Sequence, residues 1–74
     1  MQSDELRTLW QFRPFQPFVI HLSDGREIPV RHPEMFMLAP NGMTAIAYQP
    51  DSSMNIVDVT LVSDVEVKQD SVAE

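Results

Sequence analysis

Cysteine is absent from these 74 residues, lysine occurs once and glycine only twice. The first absence removes disulfides and thiolate-zinc staples as sources of stability. Gly25 and Gly42 alone cannot build a phosphate-cradling loop, and the chain has no Gly-x-Ser-x-Gly elbow and no nucleophile–base constellation. No apolar run approaches the roughly 18 residues of a membrane-crossing helix. The start, Met-Gln-Ser-Asp-Glu-Leu-Arg, is acidic and lacks the apolar stretch of a signal peptide, so the cytoplasm is the expected location. The expectation is a protein without enzymatic activity and without a cofactor.

What is present suits a folded domain. Hydrophobic residues make up 43% of the chain, enough for a core to offset chain entropy. A chain of this length sits near the lower size for folding alone, so oligomerisation is an expected source of further stability. The net charge of −6 is uneven: residues 1–37 carry −1 and include all four arginines, whereas residues 38–74 carry −5 and only Lys68 as a cation. That balance repels a polyanion, since nucleic-acid affinity rests on neutralising phosphates.

Along the chain, Ser3 with Asp4 and Glu5 behind it reads as a helix start, and Leu6, Leu9 and Trp10 form one apolar stripe. Pro14 biases Arg13 out of helical geometry, so the helix should end near Phe12. Nine residues are too few to be stable alone, which makes Trp10 the expected anchor. Arg13-Pro14-Phe15-Gln16-Pro17-Phe18 reads as a stiff connector whose aromatics enter the core. Phe18, Ile20 and Leu22 then alternate toward Asp24-Gly25, and Ile28 and Val30 answer them on the return, the pattern of a β-hairpin.

Pro33 is placed to open a single helical turn. Met35 to Leu38, Met43 to Tyr48, Met54 to Val59 and Val62 to Val67 read as further strands, with turns at Ala39-Pro40-Asn41-Gly42 and Gln49–Ser53. The order is one N-terminal α-helix followed by short strands in antiparallel order. Curling such a sheet into a closed barrel would remove its edges. The expected fold is therefore mainly β: a small five-stranded antiparallel SH3-like or Sm-like barrel over residues 1–67, with a frayed polar tail over 68–74.

The segments Arg13-Pro14-Phe15-x-Pro17-Phe18, His21-Leu22-Ser23-Asp24-Gly25-Arg26 and Val30-x-His32-Pro33-Glu34, with Ile56-Val57-Asp58 and Val65-Glu66-Val67, resemble a family of small bacterial proteins without an assigned activity. The resemblance covers nearly the whole chain and implies a stand-alone single domain. It brings no ligand and no catalytic residue.

His21, Asp24, His32 and Glu34 are the residue types that hold transition metals, with His21, His32 and Glu34 the candidates if three ligands converge. Arg13, Arg26 and Arg31, with Phe15, Phe18 and Phe36 nearby, are the candidates for a single-stranded nucleic acid, and Arg26 and Arg31 also for contacting a partner, unless Asp24, Glu27 or Glu34 neutralise those two. Met35, Phe36 and Met37 are the apolar candidates: Met35 and Met37 fall on one side of a strand, Phe36 and Leu38 on the other, and one of these sides needs cover from outside the domain. The resulting expectation is a binding or assembly module that forms a homo-oligomer, with an Sm-like single-stranded nucleic-acid binder as the alternative.

Overall fold

The computed structural model describes residues 3–68. Helix α1 spans Ser3–Gln11, with Asp4 and Glu5 in its first turn beside the positive end of the helix dipole. Six strands follow: β1 (Phe18–Leu22), β2 (Glu27–Val30), β3 (Phe36–Leu38), β4 (Thr44–Tyr48), β5 (Met54–Asp58) and β6 (Val62–Val67). They form two three-stranded antiparallel sheets, in the orders β2-β1-β6 and β3-β4-β5.

The hairpin sits in the register its alternation predicts, with Phe18 opposite Val30 and Ile20 opposite Ile28. Gly25, at φ +94°, makes the turn, and its N–H donates to the Leu22 carbonyl at 3.0 Å. On the other side β6 pairs with β1, Phe18 facing Val67 and His21 facing Asp64. Ser63 is skipped where the register shifts between His21 and Leu22, and its hydroxyl donates to the His21 carbonyl instead.

The sheets do not close into the five-stranded barrel that edge removal predicts. Two interruptions stop the ladder. After Val30 the backbone turns through a 3₁₀ segment, Pro33–Met35, before β3 starts, and Pro33 has no N–H with which to extend the ladder. After β5 a second 3₁₀ segment, Val59–Leu61, is capped by Asp58, whose carboxylate accepts from the Thr60 N–H at 3.0 Å and the Thr60 hydroxyl at 2.7 Å. These local bonds satisfy backbone that would otherwise continue as strand. The result is six strands in two open sheets with four edges: β2, β6, β3 and β5.

Burial replaces closure. Phe18, Ile20, Leu22, Ile28, Val30 and Val62 line the inner face of one sheet, while Phe36, Leu38, Ala45, Ala47 and Val57 line the other. Small residues on the central strand β4 alternate with larger neighbours, Ala47 opposite Phe36 and Ala45 opposite both Leu38 and Val57. The Phe18 and Phe36 rings meet edge to face across the sheets at 5.7 Å. Leu6 of α1 is fully buried in the same core, and Leu9, Trp10 and Phe15 pack on it. A fully buried Leu or Phe contributes about 1.5–3 kcal/mol relative to exposure, so the helix is a structural part of the domain. Of the expected polar tail, Lys68 donates its N–H to the Pro17 carbonyl at 2.8 Å, and residues 69–74 lie outside the described residues.

Candidate functional site: the outer face of the β3-β4-β5 sheet and its neighbouring cleft

Because side chains alternate along a strand, burying Phe36, Ala45, Ala47 and Val57 forces their neighbours outward. Register then aligns Met37 of β3, Ile46 of β4 and Ile56 of β5 in one row across the sheet. Met37 is 54% exposed and Ile56 is 64% exposed. Tyr48 and Met54, paired two residues further along, extend the same face and are 44% and 49% exposed. Thr44 and Asp58 close its opposite end. This is a contiguous apolar surface on a protein that is otherwise strongly acidic, and its outer margin is an open strand edge.

The four edges are unequal. β3 is three residues long, β2 contains Pro29, and β6 carries Asp64 and Glu66. Shortness, proline and charge all discourage a further strand from pairing. β5 has five residues, no proline, and a charge only at its last position, Asp58. It is the least protected edge, and it borders the apolar face.

Beside Tyr48 lies a cleft of about 200 Å³. Pro29, Arg31, His32 and Met35 line it from the β2 side, and Tyr48, Gln49 and Pro50 from the β4–β5 turn. The Gln49 side-chain N–H₂ spans the gap, donating to the Pro29 carbonyl and to Asn55 Oδ1, each at 3.4 Å. Among the described residues no carboxylate lines this cleft. Arg31 makes no hydrogen bond or ion pair among the described residues, while Arg26 is paired with Asp24 at 3.0 Å and Lys68 with Glu66 at 3.1 Å. Arg13 is also engaged, donating to the Trp10 and Phe12 carbonyls.

The residues singled out from sequence are dispersed. His21 stands between two carboxylates, Nδ1 3.8 Å from Glu27 and Nε2 3.3 Å from Glu66, so it links the three strands of its own sheet. His32 faces the cleft, whereas Glu34 borders a separate surface depression with Trp10, Gln11 and Arg13. Among the described residues no three His or carboxylate groups gather to hold a metal ion. Arg26 is at the hairpin tip and Arg31 at the far end of β2, so the two form no shared basic surface. Phe36 is 3% exposed and belongs to the core, Met37 is on the outer face, and Met35 is half-buried at the cleft.

Sequence reasoning did not single out Ile46, Ile56, Tyr48 or Gln49 as site residues. The first three were findable, since their alternation with Ala45, Ala47 and Val57 marks one of the two faces as exposed. Gln49 was not, because its Pro29 partner across the cleft lies 20 positions away in the chain.

The electrostatics of the acidic surface are local. Asp24 is held below the usual carboxylate range chiefly by the Arg26 N–H, and Asp51 and Asp58 chiefly by the hydroxyls of Ser53 and Thr60. Glu66 is lowered first by Lys68 and then by His21. Among the described residues no helix is long and apolar enough to cross a membrane. Comparison with protein-family models, with curated proteins and with solved structures finds no match to this chain.

Proposed function

We propose that this protein is a non-enzymatic binding and assembly module that self-associates through the outer face of the β3-β4-β5 sheet and the open β5 edge. One observation carries the reading: the least protected edge strand and the row Met37–Ile46–Ile56 lie on one continuous surface. Pairing β5 with β5 of a second copy would satisfy free backbone groups and extend the apolar row across both protomers. A two-fold arrangement centred on Ile56 sets Met54 opposite Asp58 of the other copy, so no like charges face each other within the pair. The proposed setting is the cytoplasm, with no cofactor.

The alternative, a single-stranded nucleic-acid binder, draws no support from the placement of the arginines. Such binding needs a basic track interleaved with exposed aromatics. Here Arg13 and Arg26 are engaged locally, and Phe18 and Phe36 are inside.

Light scattering behind a sizing column tests the proposal. At tens of micromolar protein the expected mass is that of a dimer or larger assembly, falling to a monomer in Ile56→Lys with unchanged circular dichroism. A wild-type monomer of 8.5 kDa across that range would overturn it.

A further inference from the structure

We propose that the cleft between the end of β2 and the β4–β5 turn is a binding site for a carboxylate carried on a short apolar group, with Arg31 as the anion-binding residue. This goes beyond self-association through the sheet face and does not depend on it.

Charge gives the first argument. Nine acidic side chains lie among the described residues, yet none of these lines the cleft, while Arg31 and His32 both do. A surface arginine in so acidic a chain has many potential partners, and Arg26 and Lys68 have each taken one from two residues away. Arg31 has none among the described residues. Its guanidinium, a planar fork of donors, is free to take a carboxylate in bidentate fashion.

Shape gives the second. Pro29 and Pro50 face the space from opposite sides, with Met35 and the Tyr48 ring completing its apolar lining. The prolines present no N–H, so the walls ask for an apolar group, while the Arg31 end asks for an anion. Gln49 is positioned by its bonds to Pro29 and Asn55, which ties the two sides of the cleft together.

Size gives the third. Pockets for whole cofactors and drug-sized ligands run about 300–1,000 Å³. At about 200 Å³ this cleft is too small for a nucleotide and suits one side-chain-sized group. The same chemistry is offered by a free small organic acid and by an acidic residue beside an apolar one in a peptide.

The test is an amide ¹H–¹⁵N titration of the full chain with three probes: sodium phenylacetate, neutral phenylacetamide, and the capped dipeptide acetyl-Phe-Glu-amide. The expected result is saturable shifts at Arg31, His32, Tyr48 and Gln49 with at least one carboxylate probe, and none with phenylacetamide. Arg31→Gln should weaken that binding by about tenfold or more, as loss of a charge-assisted pair does. Arg26→Gln, at the hairpin tip, should leave it unchanged. Tighter binding of phenylacetate assigns the site to a free acid, and tighter binding of the dipeptide to an acidic peptide. Equal shifts with phenylacetamide, no saturable shift with either carboxylate, or an unaltered titration in Arg31→Gln would overturn the proposal. Ile56→Lys is expected to bind the probe like the wild type, which separates this site from the self-association face.

Discussion

The indole N–H of Trp10 donates to the carbonyl of Pro33 at 3.0 Å, while the ring meets Phe36 edge to face at 5.7 Å. One side chain thus ties α1 to the turn that separates the two sheets. Trp10→Ala should destabilise the domain by about 3 kcal/mol, at the low end for a large aromatic because the ring is half-buried. Trp10→Phe should recover part of this through packing while losing the hydrogen bond, worth about 1 kcal/mol. Chemical denaturation checks both. A Trp10→Ala midpoint shift equivalent to less than 1 kcal/mol would make the helix peripheral.

The two glycines should respond unequally to alanine. Both have positive φ, Gly25 at +94° and Gly42 at +73°. A Cβ on Gly25 meets nothing within 4 Å, so Gly25→Ala carries backbone strain alone, about 1 kcal/mol. A Cβ on Gly42 would stand 2.5 Å from Ser3 Oγ and 2.8 Å from Ser3 Cβ, which forces the start of α1 to move. Gly42→Ala should therefore be the more destabilising, and Ser3→Gly in the same chain should relieve part of the difference. Thermal melts of the four proteins decide it.

These contrasts show what the sequence could and could not reveal. The hairpin register was legible because Asp24-Gly25 fixes the turn and alternation fixes the faces on either side. The span of α1, the single turn at Pro33 and the bounds of β6 were legible for similar local reasons. The failure of the barrel to close was not, although both interruptions are local. Pro33 was visible as a turn signal, but whether β2 and β3 stay paired around such a turn depends on the packing of both sheets. The break between Val59 and Val62 was visible, but not that Asp58 caps Thr60 there and starts a 3₁₀ turn at Val59. The cleft was illegible for a different reason: Arg31 and Tyr48 meet only once two separate sheets have formed.

Acid should weaken the fold. Asp24, Asp51, Asp58 and Glu66 all have folded pKa values below their ordinary ones, by hydrogen bonds and neighbouring cations. A depressed folded pKa means stability present above the unfolded value and lost as pH falls through the folded value. The contribution of these four groups should therefore be constant from pH 7 to about 5 and decline below about pH 4. Asp58→Asn keeps a capping oxygen for Thr60 but cannot titrate, so its melting temperature should fall less between pH 5 and pH 3 than that of the wild type. An equal fall would remove Asp58 from the acid response.

Salt should separate self-association from nucleic-acid binding by sign. Each copy carries −6, so two copies repel over distances comparable with the Debye length, about 10 Å at 0.1 M salt. The apolar row and β5 pairing are short-range and little screened, so raising salt removes repulsion while leaving attraction. Self-association should strengthen several-fold between about 20 mM and about 300 mM sodium chloride. Nucleic-acid binding depends on releasing counterions and weakens steeply over the same range. With Arg26 paired to Asp24 and Arg31 remote from it, no binding of single-stranded RNA is expected at micromolar protein and ~150 mM salt. Sedimentation velocity across the salt series, with and without labelled RNA, reads both. Assembly that tightens with salt in the absence of RNA supports the sheet-face module; RNA binding that weakens with salt and is lost in Arg26→Ala with Arg31→Ala would instead favour the nucleic-acid reading.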